Sequence, residues 1–437
     1  MVRKLLAPLF LIFIAYCLNG QNLYFPSIDP LQPWATMDPD ELDWCDEKID
    51  ELYDFLEEKN SKGFIILKDG KIVLEKYFDT FTEDSIWYYA SAGKSVMAFM
   101  LGIAQKNGAL SIDDKTNQYL GNGWTACTPE QEDEITIRHQ ITMTTGLEVA
   151  ASSGDDDCLD PECMEYFAPP GTRWDYYNAP YRLTQDVIEA AVGINKNFFF
   201  RQYITNTTGM NGLWFNYIFY GRTRDMARFG LLNLAGGIWN GNPILNDPDY
   251  FYEMTHPSQS LNPGYGYLWW LNGSNFHLLP GTQFQFQGSV IPNAPDDMFA
   301  ALGKNDQKIY VVPSMNMVVV RCGNSAGGVS PALSSFDNEL WAKILDLECT
   351  SSSTELENSN AMVVYPNPSR DGFSLEVTDP VIKVSLLDYN GQEVWMQPYN
   401  NESSTISIQW PMKTAPGLYL LKVDHQNGIA FKKLVRL

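Results

Sequence analysis

A change of pattern at one point limits what this chain can fold into more than any motif does. Residues 350–360 read Thr-Ser-Ser-Ser-Thr-Glu-Leu-Glu-Asn-Ser-Asn, a polar run that cannot build a core and has linker composition. Before it, stretches of helical period are mixed with strand-like runs. After it come only short alternating segments separated by Asp371-Gly372 and Asn390-Gly391 turns. One core cannot serve both patterns, and 437 residues are ample for two folded units. We therefore expect a first unit over 21–349, a linker over 350–360 and a second unit over 361–437.

In the first unit, Pro39 to Asn60 reads as a helix, and Phe64–Lys68 with Lys71–Phe78 as a hairpin turned at Asp69-Gly70. Helical patterns cover the stretch from Ser91 to Gly108, then Gln131 to Gly146, Leu183 to Ala191 and Arg224 to Gly236. Tyr265–Leu271, Met298–Leu302, Lys308–Pro313 and Met317–Arg321 read as strands, and Ser334–Leu347 as a closing helix. Strands gathered at both ends with helices between them predict an α+β layout, not a doubly wound parallel one. The second unit, with Lys383–Leu387, Thr405–Ile408 and Leu418–Val423 as examples of its strands, reads as a small β-sandwich.

Residues 1–20 have the form of a secretory signal. Arg3 and Lys4 precede an apolar run from Leu5 to Leu18, and Gly20 offers a small residue for cleavage. A membrane anchor is the alternative, but the run is short for a span, and no membrane span is expected after its removal. Cys17 raises a lipid anchor as the alternative, but Tyr16 before it does not suit one. Six cysteines remain: Cys45, Cys127, Cys158, Cys163, Cys322 and Cys349. An even count in an exported chain permits three disulfides; Cys158–Cys163 is the local pair, and Cys45–Cys349 would join two terminal helices. The acidic stretch 153–163 could hold calcium or be a solvated disulfide loop. A formal charge of −23 excludes phosphate backbones and anionic lipid surfaces as partners, so neither nucleic acid nor membrane is expected.

Chemistry concentrates at Ser91-Ala92-Gly93-Lys94. Residues three apart share a helix face, and a helix N-terminus favours a developing alkoxide. The lysine either lowers the serine pKa or, when neutral, takes its proton. Val96, Met97, Met100, Leu101 and Ala104 would form the apolar face of an amphipathic helix. The bland alternative is a helix cap beside a solvated lysine. Gly323-Asn324-Ser325-Ala326-Gly327 fits a nucleophile elbow, but the only later histidine is His425, across the linker. Gly93-Lys94-Ser95 lacks the first glycine of a phosphate loop. His139 reads as a helix residue satisfied by hydrogen bonds, with a base as the alternative.

Two resemblances go further. Tyr365-Pro366-Asn367-Pro368, Gly372-Phe373, Asp388-Tyr389-Asn390-Gly391, Gly417-Leu418-Tyr419-Leu420 and Lys432-Lys433-Leu434-Val435 make 361–437 resemble the C-terminal sorting domain of the type IX (Por) secretion system of Bacteroidetes. That resemblance implies a cargo tag read by the outer-membrane export machinery, and a secreted or cell-surface protein. The alternative is a carbohydrate-binding or adhesive β-module.

Residues from about 40 to 348 resemble the serine β-lactamase-related family, its class C β-lactamase, esterase and D-peptidase branch. Ser91-Ala92-Gly93-Lys94 matches the first motif, and Tyr176-Tyr177-Asn178 after Pro170-Gly171-Thr172 the second. Arg138 to Gly146, Asp225 to Gly230 and Tyr265 to Trp270 also fit. This implies an antiparallel sheet flanked by helices, with a helical subdomain, and acyl transfer to water without metal or organic cofactor. Ser91 would be the nucleophile. Lys94 and Tyr176 would handle its proton, Tyr176 as a phenolate-like base held by two lysines. Asn178 would orient Lys94 or a substrate amide. Lys304 would supply the basic side chain of the third motif, and the Gln307 N–H would join that of Ser91 in receiving the oxyanion. Asp306 falls where the third motif has glycine; there it would narrow the approach and repel a β-lactam carboxylate. The implied activity is hydrolysis of a small-molecule or peptide-like ester or amide. A true β-lactamase or D-peptidase, or a catalytically weak binding protein on the same scaffold, are the alternatives.

Overall fold

The computed structural model describes residues 23–29, 32–327, 333–349, 362–377, 380–388, 392–401, 405–411, 414–425 and 428–437. The signal segment 1–20 and the linker 350–360 lie outside the described residues. The chain divides into two compact units, Met1–Glu348 and Cys349–Leu437.

The first unit is built on six antiparallel strands: β1 (Ser61–Lys68), β2 (Lys71–Tyr77), β3 (Trp270–Leu271), β4 (Phe299–Gly303), β5 (Gln307–Val312) and β6 (Met317–Gly323). Their order across the sheet is β3-β4-β5-β6-β1-β2. Five principal helices accompany them: α1 (Asp46–Glu58), α2 (Gly93–Lys106), α3 (Asn178–Val192), α4 (Thr223–Leu234) and α5 (Ser335–Leu345). Every residue of β5 and β6 is buried, which is why these strands read as continuous runs and not as alternating ones. Helix α4 lies against β1, β5 and β6, and it approaches closely because Gly230 has no side chain: a methyl there would meet Val318 Cγ1 at 2.3 Å. Helix α5 packs beside α1, with Phe55 and Phe336 stacked at 5.7 Å.

Several elements differ from expectation for identifiable reasons. The first helix is two pieces, a 3₁₀ turn at Pro39–Leu42 and then α1, broken by Asp43 at φ 55°. Helix α2 is not amphipathic. It is buried from Gly93 to Ala104 on every face, as a central helix surrounded by protein is. Gln131–Gly146 is not one helix but two short ones, Pro129–Glu132 and Ile137–Ile141. Thr136 interrupts them by capping the second, and His139 Nδ1 accepts from the Thr136 N–H at 3.2 Å. Of Tyr265–Leu271 only Trp270–Leu271 is strand, because Leu268 turns the chain at φ 58°. Cys158 and Cys163 are bonded to each other, and Cys45 and Cys349 are each disulfide-bonded. Cys127 and Cys322 are free, so the third disulfide is absent. Cys322 points from β6 into the core, 3.3 Å from Thr223 Oγ1.

The second unit contains β7 (Met362–Tyr365), β8 (Gly372–Val377), β9 (Val381–Leu387), β10 (Glu393–Asn401), β11 (Thr405–Gln409), β12 (Gly417–His425) and β13 (Gly428–Arg436). They form two sheets, β7-β8-β11 and β10-β9-β12-β13. Phe373, Leu375, Val384, Leu386, Ile406, Ile408, Leu421 and Leu434 from both sheets share one core, as in a sandwich.

Candidate active site

Ser91 sits in a 3₁₀ turn, Ala90–Ala92, that leads into α2. Ala90 before it is held at φ 47°, a conformation an alanine adopts only when its surroundings impose it. The next turn of the helix places the Lys94 Nζ 3.3 Å from Ser91 Oγ. The same amine donates to Asn178 Oδ1 at 2.7 Å, and Asn178 is the first residue of α3. Tyr181, one turn along α3, lays its ring 4.2 Å from Nζ, with the Tyr176 ring at 5.1 Å. The Ser91 hydroxyl is near enough to the Tyr176 phenol to pull its pKa down. Its ring is fixed by stacking on Trp270 at 6.0 Å and by edge contact with Tyr265 at 6.1 Å. Serine, lysine, tyrosine and asparagine thus meet at one place.

Ser91, Tyr176, Asn178 and Lys304 line a cleft of about 880 Å³, with Glu148, Asp156, Asp157, Arg173 and Asp175 among the other walls. Lys94 is buried behind it, 4% exposed. Burial, and then the nearby Arg182 charge, bring its pKa down to about 7, against the opposing pull of Asp157 and Asp156. The Tyr176 phenol is pushed up by burial, a shift the nearby Ser91 hydroxyl only partly offsets. Burial therefore works against the expected phenolate-like Tyr176 and favours a neutral Lys94.

The third motif is displaced from its expected frame. Asp306 does not face the cleft. It is wholly buried, accepts from the Ala326 N–H and the Ser334 hydroxyl, and pairs with Lys308 at 3.2 Å. Lys308 also pairs with Asp337, which in turn accepts from Tyr310. The glycine at the close approach is Gly303, where a Cβ would stand 2.4 Å from Tyr89 O and 3.0 Å from Ala92 N. Two positions before it stands Ala301, not a basic residue. Lys304 lies exposed on the turn and lines the cleft. Gln307 does not line it: the residue is buried in β5, and its amide donates to Asn305 O and Gly323 O, both at 2.7 Å.

Two contributors escaped the sequence reading. Tyr181 lies three residues after Asn178, a helical spacing that would have placed it on the same face. Asp156 lies in the acidic loop, where composition alone gives no sign that one carboxylate reaches Asn178 Nδ2 at 2.8 Å. Asp155, Asp156 and Asp157 have carboxylate oxygens within 4.8 Å of one another, and the Cys158–Cys163 disulfide follows directly. The elbow at Gly323–Gly327 is a structural turn, its Ser325 hydroxyl bonded to Gly327 O.

Comparison with known proteins agrees with this architecture. The beta-lactamase family model matches residues 58–339, and the secretion system C-terminal sorting domain matches residues 363–436. An uncharacterized protein of Alkalihalophilus pseudofirmus is 22% identical over 324 residues, covering 64% of this chain and 88% of its own. Among solved structures, a provisionally named 6-aminohexanoate-dimer hydrolase from Bacillus anthracis superimposes with a TM-score of 0.56 at 18% identity, covering 73% of this chain and 89% of its own. A beta-lactamase/D-alanine carboxypeptidase from Pseudomonas syringae gives 0.51 at 14% identity, over 69% and 98%. At these identities the likeness is one of fold. The sorting domain directs the protein through type IX secretion to the cell surface or beyond, and no helix among the described residues is long and apolar enough to cross a membrane. By fold and by the extent of the family match, the chain belongs to the beta-lactamase family.

Proposed function

We propose that this protein is a secreted serine hydrolase that cleaves an ester or amide through an acyl-enzyme on Ser91. The observation that carries the reading is the buried Lys94 amine, 3.3 Å from Ser91 Oγ with a pKa near 7. A lysine that is substantially neutral at working pH can accept the serine proton as Oγ attacks the carbonyl. The Tyr176 hydroxyl, which lines the cleft with Ser91, passes a proton to the leaving oxygen or nitrogen. Water then attacks the acyl ester, loses its proton to the same pair of groups, and Ser91 regains its own. Asn178 holds the amine in place. The oxyanion is received by the Ser91 N–H at the mouth of α2 and by the N–H of Lys304 on the facing turn. Lys304 replaces Gln307 in this role because Lys304 lines the cleft and Gln307 does not. Each step uses groups of the chain, without a metal or organic cofactor.

Asp306, being buried, no longer argues about substrate. The cleft wall does. Glu148, Asp156, Asp157 and Asp175 line it with Arg173 and Lys304; Arg173 pairs with Asp175 at 3.0 Å and Arg182 with Asp157 at 2.8 Å, which leaves the Glu148 and Asp156 carboxylates against one lysine, Lys304. A carboxylate-bearing lactam would meet like charge, which favours a neutral ester or amide over a β-lactam.

Labelling by a fluorophosphonate tests the reading. The full-length mature chain is expected to take one label at Ser91, and Ser91→Ala none. Labelling that persists in the variant, or an unlabelled wild-type chain, overturns it. In a panel of p-nitrophenyl esters, short amides and nitrocefin, turnover is expected to be fastest with the esters.

A further inference from the structure

Asn178 is held from both ends. Its Oδ1 accepts from Lys94, and its Nδ2 donates to Asp156 Oδ2. A flipped amide would set its oxygen against the Asp156 carboxylate and its nitrogen against the lysine, so the pair of bonds allows one orientation only. The loop carrying Asp156 is fastened to the start of α3 by its backbone as well. Ala179 N–H donates to Asp156 O at 3.0 Å, and Arg182 Nη1 donates to Asp157 O at 3.2 Å. The Tyr177 hydroxyl donates to Cys163 O at 2.8 Å, just where the disulfide closes the loop.

We propose that Asp156 is a positioning residue of this site, fixing through Asn178 both the orientation and the charge of the amine that serves Ser91. The proposal rests on the serine-hydrolase reading above and adds a residue to it. The groups facing Lys94 are Ser91, Asn178, the Tyr176 and Tyr181 rings, Asp156, Asp157 and Arg182. Asp157 is offset by its ion pair with Arg182. The Asp156 side chain bonds only a neutral amide among the described residues, so its charge acts on the lysine with less cancellation. It opposes the desolvation that would otherwise carry the amine lower still. Asp156 itself is raised by burial and by Asp157, with Lys94 pulling the other way.

The test is the pH dependence of the fluorophosphonate labelling rate of the full-length mature chain, in wild type, Asp156→Asn and Asp156→Ala. The first variant keeps an acceptor for the Asn178 amide and removes the charge. Its acidic limb is expected to move to lower pH by at least about half a unit, with the plateau rate within about threefold of wild type. The second removes charge and acceptor. Its limb is expected to move in the same direction while the plateau falls at least about tenfold. A loop with a merely structural role would lower the plateau without moving the limb. A limb that stays in place in Asp156→Asn, with the disulfide intact by thiol count and thermal unfolding near wild type, overturns the proposal. A wild-type chain that takes no label overturns the hydrolase reading itself, a separate and recognisable failure.

Discussion

Lys94 joins function to a cost in stability. Its ammonium form must be dehydrated to sit behind the cleft, and its folded pKa of about 7 stands below the ordinary 10.5. Between those values the unfolded chain binds more protons than the folded one, so stability rises with pH across that window, and the penalty is complete below about 7. Lys94→Met removes the charge and keeps the volume. It is expected to be more stable than wild type at pH 6, on the order of a few kcal/mol less whatever Asn178 loses as a partner. The gain should shrink as pH approaches 10, while labelling of Ser91 disappears. Urea unfolding at the two pH values checks this, and a stability difference independent of pH would contradict the buried-amine account. Ser91 and Lys94 were legible because helical spacing fixes two side chains on one face, and Tyr176 and Asn178 because motif order places them opposite. Their electrostatics were not. Whether Tyr176 is phenol or phenolate depends on how deeply a ring lies among Trp270 and Tyr265, residues 94 and 89 positions further along the chain.

At the next scale, the hairpin of β4 and β5 has to approach the Ala90–Ala92 turn closely enough to share a substrate with it. Gly303 permits this, since even a methyl would reach 2.4 Å from Tyr89 O. The hairpin is held from behind by a buried group of charges. Arg321 donates to the carbonyls of Asn305 and Asp306, and Lys308 bridges Asp306 and Asp337. With the turn pinned in this way it cannot recoil, so Gly303→Ala should push the nucleophile turn instead. We expect a loss of at least about a hundredfold in labelling rate, with about 1–3 kcal/mol of destabilisation typical of overpacking. Equal loss from Lys304→Ala, or none from Gly303→Ala, would place the close approach elsewhere. The frame of this motif misled the sequence reading because Gly-Lys-Asn-Asp-Gln contains one glycine, and only backbone proximity shows which neighbour requires it. The same holds for α2, whose apolar residues fit an amphipathic helix until tertiary packing covers the other face. Strands β1, β4, β5 and β6 were recognisable since their apolar runs are bounded by turn residues. The broken helix at Thr136 and the turn at Leu268 were not, because capping and positive φ leave little mark on hydrophobic period.

At the scale of the molecule, catalysis and export fall to units with separate cores. Among the described residues, the first core draws on α1 through α5 and the six-stranded sheet and runs from Trp34 to Leu347. The second is built from strands β7 to β13 together with Trp410. Hydrophobic burial is the main term holding either unit together, so removing one core should leave the other's stability nearly intact. A chain of residues 21–349, which keeps both Cys45 and Cys349, is therefore expected to unfold within a few degrees of the full-length protein and to label at Ser91 at the same rate. The sorting domain is what the export machinery reads, so in the native host the truncated protein should accumulate in the periplasm instead of reaching the cell surface or medium. Thermal unfolding, labelling rate and cell fractionation give three independent readouts. Failure of the first two would mean that the C-terminal sandwich supports the hydrolase as well as addressing it, and secretion through the outer membrane without residues 361–437 would deny the sorting role.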